Sequence, residues 1–324
     1  MSNILYSAVP LDRAHHIRRD AQALEAARTS PAKVIVPFWR ELSLIESDAQ
    51  PSANTVFASH GHAAAILGQG IQGAELMDLA REIVFLGIGA SGVPFFAADI
   101  SGVEAEENGA GPNLGLGGTW QGLRGVGGLL AAGEAALLGY ARAMLIWHRR
   151  ARFCGSCGAP TESKDGGHVR KCVDPHCGAE TYPRTDPAVI MRVTDRDNIL
   201  LHRQKVWPAG QWSVLAGFVE PGETLEEAVA REVHEETGIL VADVTYAGSQ
   251  PWPFPSSAMM AFSARAIGGQ LMPDPHELED ARWFPRAQIL SEFDERHRGK
   301  GTGLFLPTPG SIAWRLIQDW LAAE

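Results

Sequence analysis

The sequence predicts an α/β protein of at least two compact units with a small cysteine-held ribbon between them. Three observations carry this. At 324 residues the chain exceeds what one hydrophobic core usually organises. Strand-like runs at 33–37, 83–87 and 95–100 and helical stretches at 129–147 and 224–237 place both element types along the chain. Four cysteines fall in two pairs near the middle. The expected divisions are an accessory domain over 1–130, a linking helix and ribbon over 131–183, and a catalytic domain over 184–324.

Composition narrows the class. An apolar fraction of 45% with 20% charged residues is that of an ordinary globular protein, not a fibrous or disordered chain. A formal charge of −10 argues against generic affinity for nucleic-acid backbone, which needs a surplus of Lys and Arg on the binding face. The most basic stretch, His148-Arg149-Arg150-Ala151-Arg152, follows an apolar helical run and suits a helix C-terminus. The first twenty residues lack the layout of a secretory signal, and no apolar run is long enough to span a bilayer. A cytoplasmic protein without a membrane partner is the expectation.

Within 1–130, the segment 102–128 is rich in Gly, Glu and Pro and reads as a surface loop. Gly87-Ile88-Gly89-Ala90-Ser91-Gly92 matches the G-x-G-x-x-G dinucleotide fingerprint, but Val93-Pro94-Phe95-Phe96 starts a second strand where that motif requires a helix. A hairpin turn is predicted instead. Residues 129–147 carry Ala and Leu at helical spacing and predict a buried helix leading into the cysteines.

Cys154-x2-Cys157 and Cys172-x4-Cys177 have the paired spacing of tetrahedral thiolate coordination, with a glycine after the second cysteine of each pair to let the backbone turn. Four thiolates close the shell, so the predicted Zn²⁺ is structural. His176 competes with Cys177 as the fourth ligand. Free buried thiols are the bland alternative.

The decisive stretch runs from Gly217 to Ile239, GFVEPGETLEEAVAREVHEETGI. Pro221-Gly222 turns the chain, Thr224 with Glu227 forms a capping box, and Gly238 stands where a helix stops in left-handed geometry. Glu232, Glu235 and Glu236, at i, i+3 and i+4, put three carboxylates on one helix face. Leu225, Ala228, Val229 and Val233 give the other face an apolar stripe that can dock on a sheet. A solvated charged helix is the bland reading, and the Gly-Pro-Gly loop with Glu223 and Arg231 argues against it.

This stretch resembles the Nudix box, G-x5-E-x7-R-E-U-x-E-E-x-G-U with U aliphatic, at every specified position. The resemblance implies an α/β/α sandwich with a mixed sheet. It implies Glu232, Glu235 and Glu236 as ligands for Mg²⁺ or Mn²⁺ at a diphosphate, with Glu223 and Arg231 tying loop to helix. Glu235 is the first candidate for accepting the proton of the attacking water, and Glu277 the second.

Ten residues further on, Ser249-Gln250-Pro251-Trp252-Pro253-Phe254-Pro255-Ser256-Ser257 resembles the SQPWPFPxS motif of the NADH pyrophosphatase family within that superfamily. Three prolines stiffen the loop and hold two aromatic rings in place, which suits stacking on a flat heterocycle. The resemblance covers nearly the whole chain, because the family also has an N-terminal accessory domain, a zinc ribbon and homodimers. It implies Phe218 and Trp252 as rings that sandwich nicotinamide, with Gln250 and Ser257 as further substrate contacts. It also implies Tyr182 as a residue donated to the partner subunit, Glu277 as a further metal-binding glutamate and Ala313 as a main-chain contact to the base. The four residues between Cys172 and Cys177 depart from the two found in many bacterial relatives.

The expected activity is hydrolysis of NADH or NAD to nicotinamide mononucleotide and AMP, with removal of the NAD cap from RNA 5′ ends as a close variant; Arg149, Arg150 and Arg152 are the candidate RNA contacts. The alternatives are another Nudix substrate, such as ADP-ribose or a dinucleoside polyphosphate, and a binding module without turnover.

Overall fold

The structure, a computed structural model, describes residues 4–47, 63–107, 109–297 and 304–323. The chain divides into two compact units, one of Leu5–Thr185 with Trp252–Ser256, the other of Asp186–Pro251 with Ser257–Glu324 and Ile4.

The first unit opens with α1 (His15–Arg19) and α2 (Ala21–Thr29), the latter capped by Asp20, whose side chain accepts from Gln22 and Ala23. Then come β1 (Val34–Trp39), β2 (Leu42–Ser47), β3 (Ala63–Ala65), β4 (Gly68–Gln69), α3 (Gly70–Leu79), β5 (Glu82–Ile88), β6 (Pro94–Asp99), β7 (Thr119–Gly122), α4 (Leu123–Val126) and α5 (Ala132–Arg150). They build a mixed sheet in the order β3-β2-β1-β6-β5, with β4 on β1 and β7 on β2, in which only the β1–β6 pairing is parallel among the described residues. Alternation along the strands sends Val36, Phe38, Val84 and Leu86 to a core under α5, and Ile35, Trp39 and Phe85 to a second core.

The three strand expectations hold, and so does the buried helix, whose last turn carries His148, Arg149 and Arg150 at its negative dipole end. Gly89–Gly92 is a hairpin turn: β5 and β6 are antiparallel and the Gly89 N–H donates to the Val93 carbonyl at 2.7 Å. One expectation needs correcting. The 102–128 segment is not all loop, because Thr119–Gly122 pairs with β2 and the Trp120 indole N–H donates to the Pro112 carbonyl at 2.9 Å. Long-range pairing overrides the glycine-rich composition there.

The ribbon is a three-stranded antiparallel sheet of β8 (Thr161–Lys164), β9 (Val169–Cys172) and β10 (Glu180–Thr181). Arg170 anchors it to the accessory sheet and α5. Its Nη1 donates to Glu82 Oε2 at 2.8 Å and contacts His148 Nδ1 at 2.9 Å. Against the opposing effect of burial, the contacts with His148 and Arg170 hold the Glu82 carboxyl below its ordinary value.

The second unit contains β11 (Asp186–Asp195), β12 (Asn198–Arg203), β13 (Leu215–Phe218), α6 (Leu225–Thr237), β14 (Ile239–Trp252), β15 (Ser257–Gly269), β16 (Asp280–Pro285), α7 (Arg286–His297) and α8 (Ile312–Ala322). Its mixed sheet runs β14-β15-β11-β12-β16, with β13 on β11 and a parallel β11–β15 pairing. Val189, Met191 and Val193 pack beneath Ala228, Val229 and Val233 of α6, whereas Ile190 joins Ile312, Leu316 and Ile317 of α8. The sheet therefore lies between helices on both faces, the expected α/β/α sandwich with a mixed sheet.

Candidate active site

Local chemistry specifies the acidic helix and the loop before it. The Thr224 hydroxyl accepts from the Glu227 N–H at 3.2 Å and the Glu227 carboxylate accepts from the Thr224 N–H at 2.7 Å. This reciprocal cap starts α6. Gly238, at φ 74°, stops it, and a side chain there would crowd the Gln270 carbonyl at 2.6 Å.

Arg231 organises the loop against the helix. It grips Glu223 with two N–H groups at 3.0 and 2.6 Å and donates to the Phe218 carbonyl at 2.9 Å. Its Nη1 reaches Glu232 and Glu235, each at 3.0 Å. Glu223 in turn accepts from the Glu220 N–H at 2.7 Å. The guanidinium holds the Glu223 carboxyl down at about 2, so it stays ionised as a tether.

The three box acids share a face but not an environment. Glu235 has 59% of its side chain exposed, Glu232 has 12%, and Glu236 is 5% exposed as a residue. Burial, then Glu232, Glu277 and Asp274, push the Glu236 carboxyl up to about 8, and its Oε2 has no hydrogen-bond partner. Burial also raises Glu232. An orphaned carboxylate oxygen among acids is an environment that a hard divalent cation stabilises. Gly217 leaves the room required, because a Cβ there would overlap the Glu232 carboxyl group.

Asp274 is a residue the sequence reading missed. Its N–H donates to the Glu236 carbonyl at 2.9 Å, its carbonyl accepts from Glu277 and Leu278, and its Oδ1 accepts from the His276 N–H at 3.0 Å. It thereby seats the turn carrying Glu277 beside the helix. The signal was an Asx turn within Asp274-Pro275-His276-Glu277.

The other expected contacts divide. Phe218 is 60% exposed at the end of β13. Trp252 belongs to the other unit, half-buried, with Tyr6 and Phe254 edge-on to it at 6.1 and 5.1 Å. Tyr182 is 61% exposed and donates to Glu180 at 3.1 Å. Gln250 and Ser257, expected as substrate contacts, are both buried. Gln250 is 1% exposed and its Oε1 accepts from the Ile312 N–H at 2.8 Å, so it anchors the start of α8. Ser257 is buried at its place in the sheet, aligned with Asp186. Ala313 lies in the first turn of α8, where Ser311 caps the Trp314 N–H at 3.1 Å.

The four cysteine sulfurs all lie within 4.8 Å of one another, the only group of three or more Cys, His, Asp or Glu so gathered among the described residues. Cys154–Cys177 and Cys157–Cys172 are 3.8 and 3.4 Å apart. Four Zn–S bonds of about 2.3 Å in a tetrahedron place sulfurs roughly 3.8 Å apart, so the group fits zinc. Cys177 completes it, and His176 is exposed. Gly158 and Gly178 adopt φ of 77° and 57° in the two knuckles. The Ser156 N–H, 3.4 Å from Cys154 Sγ, leads the donors that pull that thiol down, while Cys157, Cys172 and Cys177 beside it are pushed up, as when clustered thiols compete to ionise without a metal.

Comparison with known proteins agrees with this geometry. Residues 184–301 match the NUDIX domain model, 149–182 the NADH pyrophosphatase zinc ribbon domain and 33–147 the NADH pyrophosphatase-like rudimentary NUDIX domain. The NAD-capped RNA hydrolase NudC of Mycobacterium bovis is 36% identical over 340 residues, covering 99% of this chain and 95% of that protein. NudC of Stutzerimonas stutzeri is 46% identical over 206 residues, covering 64% of this chain and 69% of that protein. The NAD-capped RNA hydrolase NUDT12 of Homo sapiens is 44% identical over 196 residues, 58% of this chain but only 42% of the human protein's length. The order of the three matched domains and the similarity along nearly the full length make the chain a member of the NADH pyrophosphatase family of Nudix hydrolases.

Proposed function

We propose that this chain hydrolyses the pyrophosphate bond of NADH or NAD to nicotinamide mononucleotide and AMP, and cleaves the same bond in NAD-capped RNA, releasing nicotinamide mononucleotide and leaving a 5′-monophosphate. The observation that carries the reading is the buried, unpartnered Glu236 carboxylate beside Glu232, Glu277 and Asp274. Glu232, Glu235, Glu236 and Glu277 would hold Mg²⁺ or Mn²⁺. Such a cation shields the charge of the diphosphate and makes water more acidic. Arg231 fixes Glu232, Glu235 and the Phe218 carbonyl in one frame, so the acids and the Phe218 ring keep their spacing. Glu235 is exposed and only one of its oxygens is bound to Arg231, which leaves it suited to accept a proton from water.

Phe218 and Trp252 are the proposed stacking rings for nicotinamide, with the Ala313 main chain at the base and Tyr182 supplied to the other copy of a homodimer. The exposure of Phe218 and Tyr182 supports those roles. Gln250 acts indirectly, through the start of α8. The zinc is structural. The cytoplasm is the proposed compartment: its reducing conditions suit the four unbridged cysteines, and no helix among the described residues is long and apolar enough to cross a membrane.

The test is kcat/KM in magnesium on NADH, NAD-capped RNA and ADP-ribose. Preference for the two nicotinamide-bearing substrates is expected. A preference for ADP-ribose would overturn the substrate assignment while keeping the chemistry.

A further inference from the structure

The accessory unit carries a cavity of about 350 Å³ whose lining includes Arg124, Arg142, Arg150, Glu41, Phe254 and Pro255. Small-molecule sites start at about 300 Å³. Its charges are unbalanced. Glu41 is the carboxylate of the lining, and it already accepts from Arg142 Nη2 at 2.7 Å and pairs with Arg149. Arg124 and Arg150 are exposed and form no ion pair among the described residues.

Arg142 gives the independent sign of a ligand. It is 9% exposed, it lines the cavity, and its Nη1 has no hydrogen-bond partner. A buried guanidinium N–H without an acceptor is costly and rare. Burial, opposed by Glu41 and then reinforced by Arg149 and Arg150, holds this guanidinium below the ordinary arginine value. Phe254 does not relieve it: Arg142 and Arg124 stand 5.4 and 5.6 Å from that ring's centroid, and Arg124 is 5.7 Å from Trp252. Contacts at that range are weak beside a charged hydrogen bond.

We propose that this cavity binds a phosphomonoester, its phosphate held by Arg124, Arg142 and Arg150 and its organic group resting on Phe254 and Pro255. Planar guanidinium forks match phosphate oxygens, and a dianion balances more of this charge than a phosphodiester does.

The test is calorimetric titration of AMP, and separately of inorganic phosphate, into the full chain carrying Glu236→Gln, without added magnesium or manganese. The catalytic reading can then fail without affecting the result. One saturable site per chain for both probes is expected. Arg124→Ala with Arg150→Ala, both at exposed positions, should weaken binding by at least about tenfold with an unchanged melting temperature. A 5′-hydroxyl oligoribonucleotide, which offers phosphodiesters only, should bind at least about tenfold more weakly than AMP. No saturable heat, undiminished binding in the double variant, or an oligonucleotide binding as well as AMP would each overturn the proposal.

Discussion

Glu236 concentrates the argument at the scale of single residues. Its carboxylate is buried beside other acids, so the neutral form is favoured unless a cation is present. Glu236→Gln keeps the shape and removes the charge. We expect at least a hundredfold or so loss of kcat in magnesium, on the scale of losing one main electrostatic contributor, with the circular dichroism spectrum unchanged. Near-normal turnover in that variant would remove the residue from the site. A second residue reports on stability. His202 is 4% exposed, its Nδ1 has no partner, and burial lowers its folded value to about 4 from 6.5. The unfolded chain therefore takes up the proton first, and stability is lost as pH falls from about 6.5 through about 4. His168 shifts in the same direction. His202→Gln should flatten the fall of melting temperature over that window, and an identical profile would contradict the assignment.

Among elements, the loop before α6 matters as much as the helix. Gly217 lies where any Cβ would overlap the Glu232 carboxyl group. Gly217→Ala must push that acid aside, and we expect kcat/KM to fall by about a hundredfold, the scale of an ångström-sized misplacement. Activity within twofold or so of the parent would show that Glu232 can move without consequence. This element was legible in the sequence because everything specifying it is local: the Thr224–Glu227 cap, the i, i+3, i+4 spacing and the Gly238 stop lie within fifteen or so residues of one another. The depths of the three acids were not legible. Glu236 is buried because the turn at Asp274 closes over it, some forty residues on. Gln250 likewise reads as a substrate contact of the motif, and its bond to the Ile312 N–H at the start of α8, far along the chain, shows only in the structure.

For the molecule as a whole, length, cysteine spacing and the box point to three parts, and the structure groups the ribbon with the accessory sheet in one compact unit. The small elements of the accessory unit were not legible that way. α1, α3, β4 and β7 are too short or too weakly patterned to stand out, and tertiary pairing decides them. The ribbon makes a prediction at this scale. Its sulfurs are spaced for zinc, and Arg170 on β9 ties it to Glu82 and His148. Elemental analysis should find about one zinc per folded chain, and its removal by chelation should lower the melting temperature. A zinc-free protein of unchanged stability would contradict the structural role.

The most direct test of the central claim is product analysis after incubation with NADH and manganese. The account predicts reduced nicotinamide mononucleotide and AMP in equal amounts, with turnover stopped by chelator and restored by excess magnesium or manganese. Release of free nicotinamide, or turnover indifferent to the chelator, would show that the acidic helix does not direct the cleavage of the pyrophosphate bond.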